Sequence, residues 1–176
     1  MFTELQTTRL YLRKLKELDS STLFEIWSDP HVTKFMNISY FTEEKQAKDM
    51  IRFLNKLAHE NKAARFAIIE LESNKIIGSC GYNSIDFEHS KAEIGYELSK
   101  LFWGRGYASE AISCLLEYAS LCLKLNRIEA KVEPENVNSI RVLQRLNFTF
   151  EGTLRQVERS KEKFVDLNMY SKLITD

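Results

Sequence analysis

The sequence predicts one mixed α/β domain, a sheet of six to seven strands flanked by about four helices. Three observations carry this. Apolar residues recur at spacings of three and four in some stretches and of two in others, so helices and strands alternate along the chain. One long helical stretch lies between two short apolar runs, as when a helix crosses between parallel strands; the other strand-like runs are close enough to be hairpin neighbours. The chain of 176 residues is 44% hydrophobic and 28% charged with only six Gly and two Pro. That is enough apolar surface for a core, with no linker at which to divide it.

In chain order, Arg9-Leu10-Tyr11-Leu12-Arg13 alternates polar and apolar residues as a half-buried strand does. A short helix over about 21–28 follows, capped by Asp19 or Ser20 and ending before Pro30. A longer helix begins around Thr42-Glu43-Glu44-Lys45, where Thr42 and Lys45 do not form a capping box. Its stripe is Ala47, Met50, Ile51, Leu54, Leu57 and Ala58. Residues 65–71, 75–82 and 92–98 read as three strands of a meander, separated by Ser73-Asn74 and the polar stretch 86–91. Residues 106–125 form the longest helix, with Ile112, Leu115, Leu116, Ala119, Cys122 and Leu123 on one stripe. Arg127–Val132 reads as a buried strand, 138–146 as a short helix, and 148–154 and 164–173 as two last strands.

Composition narrows the function classes. Lys plus Arg and Asp plus Glu each number 25, and a chain without a basic excess is a poor candidate for nucleic acid. No stretch approaches the roughly 18–20 uninterrupted apolar residues of a membrane helix. Met1-Phe2-Thr3-Glu4-Leu5 has no basic segment ahead of an apolar one, so the expectation is a cytoplasmic protein. Cys80, Cys114 and Cys122 are odd in number and without paired spacing, as in a reduced cytosolic chain. Cys114 and Cys122 fall in an apolar helical stretch and are expected as small buried thiols. His31, His59 and His89 are isolated; they are expected on the surface or in loops, and no metal is expected.

The most informative segment is Trp103-Gly104-Arg105-Gly106-Tyr107-Ala108-Ser109-Glu110, between a meander strand and the long helix. Two glycines in three residues let the backbone turn tightly, and the next helix turn offers free N–H groups and a positive dipole end to an anion. No Gly-Lys-Ser/Thr follows and the spacing is not Gly-x-Gly-x-x-Gly, so neither a nucleoside triphosphate nor a dinucleotide is indicated.

Further segments surround this loop. They are Ala92-Glu93-Ile94-Gly95-Tyr96-Glu97-Leu98, Glu135-Asn136-Val137-Asn138-Ser139, Arg141-Val142-Leu143-Gln144-Arg145-Leu146-Asn147-Phe148 and Glu151-Gly152. With Thr8-Arg9-Leu10-Tyr11-Leu12-Arg13, Asp29-Pro30, Ile76-Ile77-Gly78 and Asp166-Leu167-Asn168-Met169-Tyr170, they form an ordered set. That set resembles the Gcn5-related N-acetyltransferases (GNAT), and within them the RimJ/RimL-type group that acetylates ribosomal-protein N-termini. The resemblance covers residues 8–174 as one domain. It implies the GNAT fold with a splayed sheet, and acetyl-CoA as co-substrate.

By that resemblance the phosphate loop, usually Gln/Arg-x-x-Gly-x-Gly/Ala, is Trp103-Gly104-Arg105-Gly106-Tyr107-Ala108, with Trp103 departing from the usual first residue. Its backbone amides would take the pyrophosphate of coenzyme A. The main chain at Tyr96, Glu97 and Leu98, splayed from residues 127–132, would pair with the pantetheine amides, as an added strand does. Asn136 matches the family asparagine on that arm, and helix capping is the other reading of Asn136 and Asn138. Two glutamates compete as general base: Glu158, in a segment like that of RimL-type enzymes, and Glu93, matching the strand glutamate of Gcn5-like histone acetyltransferases. Glu97 is a third. A main-chain N–H near residues 96–98 would face the developing oxyanion. Many relatives carry a tyrosine seven residues after the asparagine for the leaving thiolate, but here Leu143 stands there. Ser139, matching the RimL-type serine, would hydrogen-bond the thiolate, or else steadies the first turn of its helix. Asn147 replaces a usual Gly, and Asn accepts positive φ at least cost. Trp27, Met36, Asn37, Tyr40 and Phe41 lie in or beside the first helix pair, which lines the acceptor groove in related enzymes; Trp27 also reads as core. Asn83 resembles the RimL-type sequence without an assignable role.

The expected activity is direct acetyl transfer, with no covalent enzyme intermediate. The first acceptor is the N-terminal α-amine of a ribosomal protein, and the second a small amine such as an antibiotic, a polyamine or an amino acid. Leu143 keeps open a catalytically silent acyl-CoA-binding module. The expected partners are acetyl-CoA and the amine, without nucleic acid or membrane, for a monomer or homodimer.

Overall fold

Alternating burial along the strands places apolar side chains on both faces of one eight-stranded sheet. The computed structural model describes residues 2–176; Met1, where the N-terminal stretch read for a leader begins, lies outside the described residues. The strands are β1 (Leu5–Gln6), β2 (Leu10–Lys14), β3 (Ala64–Glu70), β4 (Lys75–Asp86), β5 (Lys91–Leu98), β6 (Arg127–Val132), β7 (Thr149–Ser160) and β8 (Lys163–Leu173). The helices are α1 (Ser20–Trp27), α2 (Pro30–Thr33), α3 (Glu44–His59), α4 (Tyr107–Leu121) and α5 (Val137–Arg145). The sheet order is β1-β2-β3-β4-β5-β6-β8-β7, with β5 and β6 parallel and α4 crossing between them as expected. On β3, Phe66 and Ile68 pack in one cluster with Ile112 and Leu115 of α4. Ala67 between them joins Leu23, Ala47 and Ile51 of α1 and α3. Helices therefore cover both faces.

Two elements exceed the seven strands and four helices expected. β1 is a two-residue strand, and α2 is a single turn that begins at Pro30, whose fixed φ and missing N–H suit a first helical position. Asp29 Oδ1 accepts the His31 N–H at 2.9 Å and starts that turn. Neither Asp19 nor Ser20 caps α1 with its side chain: Asp19 sits at the cap position, but its carboxylate goes to Arg13 and the Lys16 N–H. The start of α3 is fixed by Gln46, whose Oε1 accepts the N–H groups of Thr42 at 2.7 Å and Glu43 at 3.0 Å. At the other end of the chain's longest apolar stretch, α4 stops at Leu121 rather than at residue 125, and Lys124 turns out at φ 55°. Cys122 is therefore exposed, against the buried thiol expected, and Cys114 is half-buried. Cys80 is buried, and desolvation pushes its thiol up.

Two irregularities in pairing shape the molecule. On β4, Tyr82 pairs with Ile94 and Ser84 with Glu93, so Asn83 is an extra, bulged residue. At the same level the parallel ladder between β5 and β6 ends: Lys91, Ala92 and Glu93 pair with Arg127, Ile128 and Glu129, and no pair follows. Past Glu93 the two strands diverge. On β7, Leu154 pairs with Leu167 and Glu158 with Val165, so β7 carries extra residues there, with Gln156 at φ 49° and its N–H on Asp166 Oδ1 at 2.7 Å. β7 thereby continues to Ser160, beyond the end expected at 154. Asn147 adopts φ 60° as expected and ends α5 with Phe148 N–H on the Leu143 carbonyl and its own N–H on that of Gln144.

Burial opposes the charge of Asp19, but Arg13 at 2.8 Å and the Lys16 N–H outweigh it and hold the carboxyl below its usual range. A depressed carboxyl stabilises the fold above its unfolded pKa of about 3.9, and that stabilisation is lost as pH falls through the folded value. Asp19→Asn is expected to cost about 2–3 kcal/mol in urea denaturation at pH 7, with the deficit shrinking toward pH 3.

Candidate active site

The glycine turn between β5 and α4 has the backbone its sequence requires. Gly104 and Gly106 lie at φ 75° and 79°, left-handed values that cost a residue with a side chain roughly 1–2 kcal/mol. Gly106 is the N-cap of α4 and brings no side-chain cap, so the first-turn N–H groups stay available to an anion. In that turn the Ser109 hydroxyl is buried, with no hydrogen-bond partner among the described residues. Arg9 clamps the loop from just ahead of β2. Its Nη1 donates to the Arg105 carbonyl at 2.9 Å, its guanidinium sits 4.3 Å from the Tyr107 ring centroid, and its Nε pairs with Glu110 at 2.7 Å. The Tyr107 hydroxyl donates to Glu70, Trp103 donates its indole N–H to the Leu98 carbonyl at 2.8 Å, and Arg105 lies over Phe102. The side chains of Trp103, Arg105 and Tyr107 thus brace the loop, and what it offers a ligand is main chain and Ser109.

A cavity of about 750 Å³ opens over this turn, reaching Tyr96, Glu97 and Leu98 of β5 and Asn136 and Ser139 at the start of α5; Arg105 does not line it. A second cavity of about 380 Å³ lies toward α1 and α3, walled by Trp27, Met36 and Asn37 and bearing Glu93, Glu133 and Glu158. Of the other acceptor-side candidates, Tyr40 is exposed and Phe41 packs edge-on against Trp27 at 5.8 Å; neither lines the cavity. Tyr96, Glu97, Asn136 and Ser139 line both spaces, which therefore meet where β5 parts from β6.

At that junction the hydroxyls of Tyr96 and Ser139 are 3.0 Å apart. Burial pushes the Tyr96 phenol up, with the Ser139 hydrogen bond opposing. Asn136 rather than Asn138 caps α5, its Oδ1 accepting the Ser139 N–H at 3.3 Å. Its amide NH₂ has no hydrogen-bond partner among the described residues.

The three candidate glutamates differ in what already holds them. Glu97 is buried and accepts from the Trp27 indole at 2.9 Å, from Ser79 and from Arg65, so its oxygens are committed to the fold. Arg65 is braced in turn by Ser79 at 2.9 Å and by Asn83 at 3.1 Å, and Asn83 fills the space a Cβ at Gly95 would need. Glu93 pairs with Lys131 at 3.0 Å. Burial works against the Lys131 charge, but Glu93, with Glu129 and Glu158 adding to it, holds the ammonium above its ordinary range. The Glu158 carboxylate has no hydrogen bond or ion pair among the described residues, and neither has that of Glu133. Burial raises the Glu133 carboxyl, against the pull of Lys161. Lys161, in the turn between β7 and β8, donates to the carbonyls of Thr33 and Lys34 and ties that turn to the end of α2.

Sequence reasoning passed over Arg65, Lys131, Glu133 and the Tyr96 hydroxyl. Arg65, Lys131 and Tyr96 sit in strands read for periodicity or main chain, and their partners Glu97, Glu93 and Ser139 lie 32, 38 and 43 residues away, while Glu133 falls just past a strand end.

A family model for the acetyltransferase (GNAT) domain matches residues 9–149. The chain belongs to this family. It is an N-acetyltransferase, and enzymes of the family use acetyl-CoA. It is 51% identical over 169 residues to an uncharacterized N-acetyltransferase, p20, of Bacillus licheniformis, covering 96% of this chain and 95% of that one. It is 30% identical over 120 residues to the ribosomal-protein-serine acetyltransferase of Escherichia coli K12, covering 68% of this chain and 66% of that one. The structure of the microcin C7 self-immunity acetyltransferase MccE in complex with acetyl-CoA and AMP matches with a TM-score of 0.87 at 26% identity, covering 96% of this chain and 94% of that one. No helix among the described residues is long and apolar enough to cross a membrane. Among them no group of three or more His, Cys, Asp and Glu is placed to hold a metal ion.

Removing Arg65 leaves a buried, unpaired carboxylate, which costs more than removing both charges. Arg65→Met is expected to lower stability by about 3–5 kcal/mol in urea denaturation, and adding Glu97→Gln to recover part of that loss.

Proposed function

We propose that this enzyme transfers acetyl from acetyl-CoA to the N-terminal α-amine of a protein, a ribosomal protein first. One observation carries the reading: an anion-binding turn and an opened strand edge lead directly into a second cavity that holds two unpartnered carboxylates, Glu133 and Glu158. The first cavity fits the donor, because the left-handed glycine turn, the uncapped start of α4 and the orphaned Ser109 hydroxyl suit a diphosphate. When bound, acetyl-CoA supplies an activated acetyl thioester. The loop Trp103-Gly104-Arg105-Gly106-Tyr107-Ala108 holds its diphosphate through main-chain N–H groups, and Ser109 adds a hydroxyl. The free edge of β5 at Tyr96, Glu97 and Leu98, with Asn136, holds the pantetheine arm.

Glu158 takes the proton from the attacking amine: the oxygens of Glu97 and Glu93 are engaged, and Glu133, also unpartnered, is the carboxyl whose charge burial opposes. Main-chain N–H groups of β5 near Tyr96 face the developing negative charge, and Ser139 faces the departing sulfur. An α-amine suits a single carboxylate base, because its pKa of about 7.7–8.0 leaves little to overcome at neutral pH, against about 10.4 for a lysine. The E. coli relative named as a ribosomal-protein-serine acetyltransferase supports the acceptor.

Glu158→Gln is expected to lower kcat on a peptide with N-terminal serine by about 100-fold or more, with little change in acetyl-CoA binding by calorimetry. The kcat/KM of the unaltered enzyme should rise with pH and level off near about pH 8, where an α-amine becomes neutral. Turnover of the variant within about fivefold of the parent would remove Glu158 as the base. Acetylation of spermidine, with the peptide untouched, would move the acceptor to the small amines.

A further inference from the structure

A departing thiolate is steadied by a hydrogen bond whose donor is aimed at sulfur before the bond breaks. Where the two cavities meet, the hydroxyls are those of Ser139 and Tyr96, 3.0 Å apart, while Leu143 one turn further along α5 is buried and apolar. A serine hydroxyl has one hydrogen and rotates freely, so unaided it divides its time among acceptors. The tyrosine hydrogen is confined near its ring plane, and the ring is set by β5. The Ser139 main chain is fixed by its N–H on Asn136.

We propose that Tyr96 donates its hydroxyl hydrogen to Ser139 Oγ and so turns the Ser139 hydrogen onto the leaving sulfur. Tyr96 is thus a positioning residue for Ser139. This rests on the acetyl transfer proposed above. The amine lone pair forms the bond from nitrogen to the acetyl carbon; as the carbon–sulfur bond breaks, its electron pair goes to sulfur, and the amine proton goes to the Glu158 carboxylate and on to solvent. No proton leaves Tyr96 or Ser139. The product is a thiolate, which is adequate near neutral pH for a thiol whose pKa lies near 8.5, as for cysteine. Burial keeps the Tyr96 phenol protonated, the state in which it donates. The charged groups around the junction are the pairs Glu93–Lys131 and Glu97–Arg65, with Glu133 and Glu158, on one side, and Lys34, Arg141 and Arg145, with the titratable His31, on the other. None of them hydrogen-bonds the Tyr96 or Ser139 hydroxyl, whose bond is to one another.

The test titrates the thiol of bound coenzyme A by its thiolate absorbance in the parent protein, Tyr96→Phe, Ser139→Ala and the double variant. Each single change is expected to raise the bound thiol pKa by about half a unit to one unit, and the double variant to match Ser139→Ala. Affinity for desulfo-coenzyme A, which lacks the sulfur, should stay within about twofold in Tyr96→Phe, as a purely structural loss would not allow. A thiol pKa unmoved by Tyr96→Phe, or additive shifts in the double variant, would overturn the assignment while leaving acetyl transfer standing. If the parent protein fails to bind coenzyme A at all, the acetyl-transfer reading falls, and this one with it.

Discussion

One extra residue in a strand organises this molecule. Asn83 interrupts the pairing of β4 with β5 between Ile94 and Glu93, and a bulge bends and twists the strands that carry it. At that level β5 stops pairing with β6. Beyond it β5 stays with β4 and β6 stays with β8. The sheet opens without losing its hydrogen bonds elsewhere, and an unpaired strand edge is left at the centre of the protein. An open edge is usually a liability that proteins cover; here it forms a wall of the cavity over the glycine turn, where that cavity meets the second one.

Keeping that wedge open requires rigid sides, and buried polar groups supply them. Glu97, Arg65, Ser79, Trp27 and Asn83 are joined in one hydrogen-bonded set beneath β5. A buried ion pair adds little net stability, but once desolvated it tolerates few alternative arrangements. Such engagements also explain why the three candidate glutamates of this region are not equivalent. Glu97 is spent on structure and Glu93 is neutralised by Lys131, while Glu158 is left free. Chemistry is divided among like residues by what each already touches.

Most elements of the fold were legible along the chain, because helix and strand periodicities are local properties. The reading faltered where a tertiary partner overrode the pattern. Pro30 opens a helical turn because Asp29 caps it. Cys122 emerges into solvent because α4 ends one residue earlier. The charged stretch Arg155-Gln156-Val157-Glu158 carries no alternation that marks a strand, yet β7 runs through it because Asp166 on β8 holds the bulge at Gln156. That bulge lies just before Glu158, which borders the second cavity.

The sequence alone determined the glycine turn, the helix that follows it and the family to which the chain belongs. These depend on steric rules acting within a few residues: only certain side chains tolerate a left-handed φ, and a helix start always leaves N–H groups free. Which oxygen is free, which hydroxyl faces which, and where two strands separate were decided by tertiary structure. Those properties arise between segments distant in the chain, such as Tyr96 and Ser139, 43 residues apart. Burial and distance enter the energy of such contacts directly, and neither is written in local order.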